Sequence, residues 1–303
     1  MPLEPINAMM RHAVLAGYAV GYFESWNFES LQGVIDAAEE ARAPVILGFN
    51  GDFLSRPRQA EERLAWYAAL GLAAAKSSTV PCGLIFNECP RDEWVRQAIS
   101  AGFNLVMLAD PDAPPAELEE RVAAVARLAH ANGVAIEAEV GELPMGFSQA
   151  GNPAHSGHVT DPDTAAAFVE KTGVDLLAVS VGNIHIQLQG ESPLDLDRLG
   201  QIRRRVSVPL VLHGGTGIAE ESLREAIKLG VAKVNFGTYL KKRYLAAIRA
   251  ALGRDLADPH RLLGVGGPED VLVAGRLAVK GAVLERIDQL GCRGRADDKG
   301  MFT

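Results

Sequence analysis

The stretch Pro209-Leu210-Val211-Leu212-His213-Gly214-Gly215-Thr216-Gly217 is an apolar run that ends in a histidine and opens into glycines just before a helical pattern. Apolar residues after a proline suit a strand buried on both faces, and Gly214, Gly215 and Gly217 let backbone N–H groups come close to an anion. A helix beginning near Ile218 points its positive N-terminus at the same spot, so phosphate is the anion to expect beside His213. A tight strand-to-helix turn beside a packed histidine would give the same letters.

The rest of the chain decides between these readings, because the strand-then-helix pattern recurs on both sides of the stretch. After a helical opening over 5–16, strands are predicted at 18–23, 44–49, 81–86, 104–108, 134–139 and 175–181. Helical patterns at 27–42, 59–76, 91–101, 115–132, 160–172 and 194–206 alternate with them. The quoted stretch is then the seventh strand, with its helix at 220–229, and 232–236 and 238–252 are the eighth strand and helix. Such regular alternation implies a parallel sheet, and eight units close into a TIM barrel. A doubly wound open sheet is disfavoured because no Gly-x-Gly-x-x-Gly follows the first strand. Residues 1–303 are therefore read as a single TIM-barrel domain whose C-terminal extension, about 268–303, carries one more helix and docks on the barrel or on a partner subunit.

Composition narrows the function. The chain has 303 residues, 48% of them apolar, and a net charge of −8, which suits a small-molecule substrate and argues against nucleic acid or an acidic membrane as partner. Cys82, Cys89 and Cys292 are too few and too scattered for a disulfide framework or a paired-cysteine zinc site, so a cytoplasmic home is expected. No secretory leader or bilayer-spanning stretch is read in the sequence.

In a barrel, catalytic groups come from the C-terminal ends of the strands, and phosphate is often held by the loops after strands seven and eight. That rule collects Glu24, Asn50, Asn87, Glu88, Asp110, Glu139, His185, His213 and Asn235, with Gly214 to Gly217 and Gly237 to Thr238 as the phosphate cradle. Glu88, His185 and His213, each on a different strand end, could hold a divalent metal with a position left for substrate. Asp110 and Glu139 could orient a ligand histidine or bind a second cation, or cap neighbouring helices. The long loop after strand five, with His155 and His158, reads as a lid. His12, His130 and His260 read as structural or surface residues.

With these residues placed, the chain resembles the class II, metal-dependent fructose-bisphosphate aldolases from the first strand to the last helix. The resemblance is carried by Gly17-Tyr18-Ala19-Val20, Pro44-Val45-Ile46-Leu47, Glu137-Ala138-Glu139-Val140-Gly141, Pro209 to Gly217 and Lys233-Val234-Asn235. It implies a homodimer or homotetramer acting as a carbon–carbon lyase, with an enediolate held on a metal. Zinc is the metal expected first. It assigns His185 and His213 as ligands, and Gly182, Thr216, Asn235 and Thr238 as phosphate contacts. The third strand departs from the family: Asn87 falls on the catalytic aspartate and Glu88 on a metal histidine. An amide cannot exchange a proton near neutral pH, so Asn87 can orient a hydroxyl but not act as acid or base. Glu88 can still bind a metal, and a carboxylate there makes manganese or iron plausible beside zinc. The proton then falls to Glu24, His155 or His158.

The function read from all this is cleavage of a small phosphorylated keto sugar or keto acid, not ordinary fructose 1,6-bisphosphate. Another metal-assisted reaction through an enediolate (isomerase, decarboxylase or hydrolase) and a non-catalytic phosphosugar-binding protein are the alternatives.

Overall fold

The computed structural model describes residues 3–56, 62–141, 143–144, 158–184, 190–253, 258–264 and 266–298. Eight parallel strands close on themselves in sequence order: β1 (Val20–Glu24), β2 (Val45–Asn50), β3 (Cys82–Cys89), β4 (Leu105–Leu108), β5 (Ala135–Val140), β6 (Leu176–Val179), β7 (Leu210–Leu212) and β8 (Val231–Phe236). The pairing Tyr22↔Asn235 between β1 and β8 shuts the barrel. It is a TIM barrel with a helical C-terminus.

Strand periodicity decides what faces inward, since alternate side chains point to opposite faces. Phe86 packs outward on Trp94 of the helix Asp92–Ala101, and Phe236 lies under Arg286 of the C-terminal helix. Their neighbours Asn87 and Asn235 therefore face the interior. By the same alternation Tyr22 and Glu24 on β1, Glu137 and Glu139 on β5 and Lys233 on β8 point inward. Barrel interiors are usually layers of Val, Ile and Leu. This one is polar on several of its strands.

Two local departures from the predicted elements shape the mouth. Strand β3 runs on to Cys89, with an irregular register against β4 after Phe86, and Glu88 takes a left-handed φ of 53° there. Such a conformation is uncommon outside glycine, and here it turns the Glu88 side chain into the mouth one residue after Asn87. A short helix, Gly51–Ser55, follows β2, capped by the Asn50 side chain accepting from the Phe53 N–H.

The C-terminal helix Val271–Leu290 packs on this chain's own barrel, against the helices Phe28–Ala41 and Thr238–Leu252. Close approach is possible because Gly33 lies under the Arg276 carbonyl and Gly275 under the Tyr244 ring, where a Cβ would come within 2.6 and 2.4 Å. The cysteines are free and buried, and burial pushes the thiols of Cys82 and Cys89 up to about 11 and that of Cys292 to about 12, which leaves them unreactive. No described helix is long and apolar enough to cross a membrane.

Candidate active site

His213 follows the last residue of β7 and is almost fully buried. The Asn183 amide donates to its backbone carbonyl at 3.0 Å and so braces the strand end. On the ring, Nε2 lies 2.9 Å from Glu137 Oε1. A carboxylate only accepts, so Nε2 carries the proton and Nδ1 is the atom left facing the mouth. Nδ1 is 2.9 Å from Glu139 Oε2 and 3.2 Å from Glu88 Oε1, with neither oxygen in line for a hydrogen bond.

Glu137 is held in turn by Lys233, whose Nζ is 2.8 Å from Glu137 Oε2, and neither side chain has any exposure. Burial alone would raise the Glu137 carboxyl, but Lys233 and then His213 outweigh it and keep the group below the usual carboxylate range. Burial likewise works against a charged His213, yet Glu139, Glu137 and Glu88 together hold the imidazole well above its ordinary value. With the ring protonated, three carboxylates face one imidazolium and one ammonium, and the cluster keeps one uncompensated negative charge. A divalent cation that took the place of the Nδ1 proton would bring the cluster to neutrality.

Several further polar atoms at this end of the barrel are buried without a hydrogen-bond partner among the described residues: the Tyr22 hydroxyl, Asn87 Oδ1 and Asn235 Nδ2. Lys233 Nζ donates to Asn235 Oδ1 at 2.6 Å, which fixes the amide orientation and leaves Nδ2 as the free donor. Leaving such groups unpaired costs about 1–3 kcal/mol each, which a bound ligand recovers. Asn50 Nδ2 donates to Glu88 Oε2 at 2.8 Å and steadies that carboxylate from β2.

The glycines of the quoted stretch have a second explanation in packing. A Cβ on Gly214 would stand 2.2 Å from the Ile184 carbonyl, and one on Gly215 2.7 Å from Val234. The Gly217 N–H donates to the Gly214 carbonyl within the turn, and Gly182 adopts φ 102° against Pro193. Thr216 Oγ1 accepts from the Tyr239 N–H at 3.2 Å and thereby caps the helix Thr238–Leu252, whose own N-cap, Gly237, has no side chain to do so. Thr216→Val is therefore expected to lower stability by about 1 kcal/mol in urea unfolding, with or without a ligand. An unchanged midpoint would mean that the cap is dispensable.

Glu24 pairs with Lys241 at 2.6 Å. Asp110 does not point to the histidine: it pairs with Arg121 at 2.7 Å, and so does Asp92. His158 is exposed, while His155, His185 and most of the loop after β5 lie outside the described residues. His12 contacts the Tyr18 hydroxyl and His130 contacts Asp175, both as structural links, and His260 is on the surface.

The fold has many counterparts. The model of the fructose-bisphosphate aldolase class-II family matches residues 4–295. This chain belongs to the class II fructose-bisphosphate aldolase family. It is 33% identical to the fructose-bisphosphate aldolase of Geobacillus stearothermophilus, over 98% of this chain and 99% of that one. The crystal structure of the YdjI aldolase from Escherichia coli K12 superimposes with a TM-score of 0.79 at 32% identity, covering 97% of this chain and 100% of the other. A fructose-bisphosphate aldolase from Campylobacter jejuni, 21% identical, shares the fold with a TM-score of 0.74 over 95% of this chain and 94% of its own. Membership makes the chain an aldolase-type lyase of a divalent-metal-dependent family.

Among the described residues no three His, Cys, Asp or Glu side chains already surround a common point as metal ligands. The donor chemistry nevertheless fits a cation. An imidazole nitrogen without a hydrogen bond faces two carboxylates, and its other nitrogen is anchored to a third. Metal-bound histidines are typically oriented this way through their second nitrogen. The sequence reading picks out Glu139 but not Glu137, and Asn235 but not Lys233. The signal for both was a second polar residue two positions earlier in an otherwise apolar strand.

Proposed function

We propose that the protein catalyses metal-dependent retro-aldol cleavage of a small, singly phosphorylated keto sugar or keto acid. What supports this most is the His213 ring, tethered by Glu137 on one nitrogen and presenting the other, which makes no aligned hydrogen bond, to Glu139 at 2.9 Å and Glu88 at 3.2 Å. Glu88, Glu139 and His213 would hold the ion, with His185 as the fourth candidate. A bound zinc, manganese or iron ion would polarise the substrate carbonyl. Lys233 keeps Glu137 ionised, and Glu137 keeps the imidazole proton on Nε2. Asn87 Oδ1 accepts from a substrate hydroxyl, and Asn235 Nδ2 donates to a substrate oxygen. Asn87 moves no proton, so that step falls to Glu24, His155 or His158.

Metal analysis of the purified protein, followed by a screen of phosphorylated ketoses and keto acids for aldehyde release, tests the reading. A metal-loaded protein that binds these compounds and cleaves none is a binding protein. Rapid cleavage of fructose 1,6-bisphosphate would make it an ordinary family aldolase. Asn87→Asp is expected to leave that cleavage negligible, since Glu88 still stands on the family's histidine position; a large gain would show that Asn87 is only a lost base. Replacing both His155 and His158 by Asn is expected to lower kcat by about tenfold or more and reshape its pH profile. An unaltered profile assigns the proton to Glu24.

A further inference from the structure

Glu24 and Gly237 are neighbours across the β1–β8 seam, one position beyond the register pair Phe23↔Phe236. The Glu24 carboxylate fills the space that a side chain on Gly237 would take: a Cβ there would stand 2.2 Å from Glu24 Oε2. Its other oxygen is 2.6 Å from Lys241 Nζ, and Lys241 is seated 4.4 Å from the Phe53 ring centroid and 5.8 Å from that of Trp26. Glu24 itself is 8% exposed. A protein carboxylate thus stands at the N-terminus of the helix Thr238–Leu252, the position in which a phosphate would profit from the helix dipole. Two polar groups next to it on the same inward face, Asn235 Nδ2 and the Tyr22 hydroxyl, are more than nine-tenths buried and lack hydrogen-bond partners. Both can donate to a neutral hydroxyl or carbonyl oxygen.

We propose that Glu24 is a specificity residue that keeps phosphate off the β1–β8 side of the mouth, so that the substrate end bound there is an uncharged hydroxyketone. The substrate's phosphate then lies on the opposite end, the one released with the aldehyde. This rests on the retro-aldol reading and sharpens its substrate class. A phosphate against Gly237 would have to displace Glu24 from Lys241 or share a poorly hydrated space with it, and like charges at such distances repel strongly. A neutral hydroxyl meets neither obstacle.

Calorimetric titration of the intact, metal-loaded protein with dihydroxyacetone and with dihydroxyacetone phosphate reads the preference directly. The wild type is expected to bind the phosphorylated ketone no more tightly than the neutral one. Glu24→Gln is expected to raise the affinity for the phosphorylated ketone relative to the neutral one by about tenfold or more. Tighter binding of the phosphorylated ketone by the wild type, or the same ratio of the two affinities in Glu24→Gln, overturns the proposal. The wild-type comparison stands even where the variant does not fold. Deuterium exchange into dihydroxyacetone in heavy water separates the two levels: no exchange into either ketone defeats the lyase reading, whereas faster exchange into the phosphorylated one defeats only the role of Glu24.

Discussion

Replacing Lys233 by methionine is expected to destabilise the protein by about 3–5 kcal/mol, the range for a buried ion pair that loses one partner. Lys233 and Glu137 have no exposure and lie 2.8 Å apart, so the change leaves a carboxylate inside the barrel with only His213 beside it. The ammonium also donates to Asn235 Oδ1, and that amide would be freed to turn. Urea unfolding of both proteins measures the difference. The sign of its pH dependence follows from the carboxyl. In the wild type Glu137 is held below the usual range, so its contribution is full at neutral pH and is lost only as pH falls through that lowered value. In the variant the carboxyl is raised by burial, so it protonates sooner on acidification and the gap between the two proteins narrows. A difference under about 1 kcal/mol at neutral pH would show that the pair is not structurally required. Replacing both residues by methionine is expected to cost less than twice the single change, because the double variant leaves no charge stranded.

This pair also marks the limit of what the sequence disclosed. The barrel was legible, because eight alternations of apolar runs and amphipathic stretches leave few other ways to close a parallel sheet. The strand ends were legible too, since Glu24, Asn87, Glu88, Glu139, His213 and Asn235 each end a run or sit beside its end. Glu137 and Lys233 were not, because a charge inside a strand reads as facing solvent until the barrel closes round it and supplies the opposite charge from another strand. The left-handed turn at Glu88 escaped for a different reason. Nothing in Phe86-Asn87-Glu88-Cys89 departs from an ordinary strand, and only the irregular register against β4 turns two successive side chains to the same mouth. The glycines near His213 were read as room for a ligand, whereas Gly214 and Gly215 are also required by the Ile184 carbonyl and Val234.

The second large effect is expected at His213. His213→Asn keeps a polar group on β7, but its shorter side chain cannot both reach Glu137 and present a nitrogen between Glu88 and Glu139, which the imidazole spans with contacts of 2.9 Å on one side and 2.9 and 3.2 Å on the other. Metal affinity is expected to fall by at least about 100-fold, and lyase activity with it. Glu137→Gln, which removes the charge that anchors the ring and also leaves Lys233 without its carboxylate, is expected to weaken metal binding by about 10–100-fold, the usual effect of losing a partner that orients a ligand. The variants should therefore rank wild type, Glu137→Gln, His213→Asn in metal content after dialysis against a weak chelator. Thermal unfolding gives a readout independent of turnover, because a cation that binds only the folded state raises the midpoint. Added zinc or manganese is expected to raise it in the wild type and to leave His213→Asn unmoved. A His213→Asn protein that keeps its full metal content and its metal-dependent midpoint would place the ion elsewhere and remove the observation on which the proposed chemistry chiefly depends.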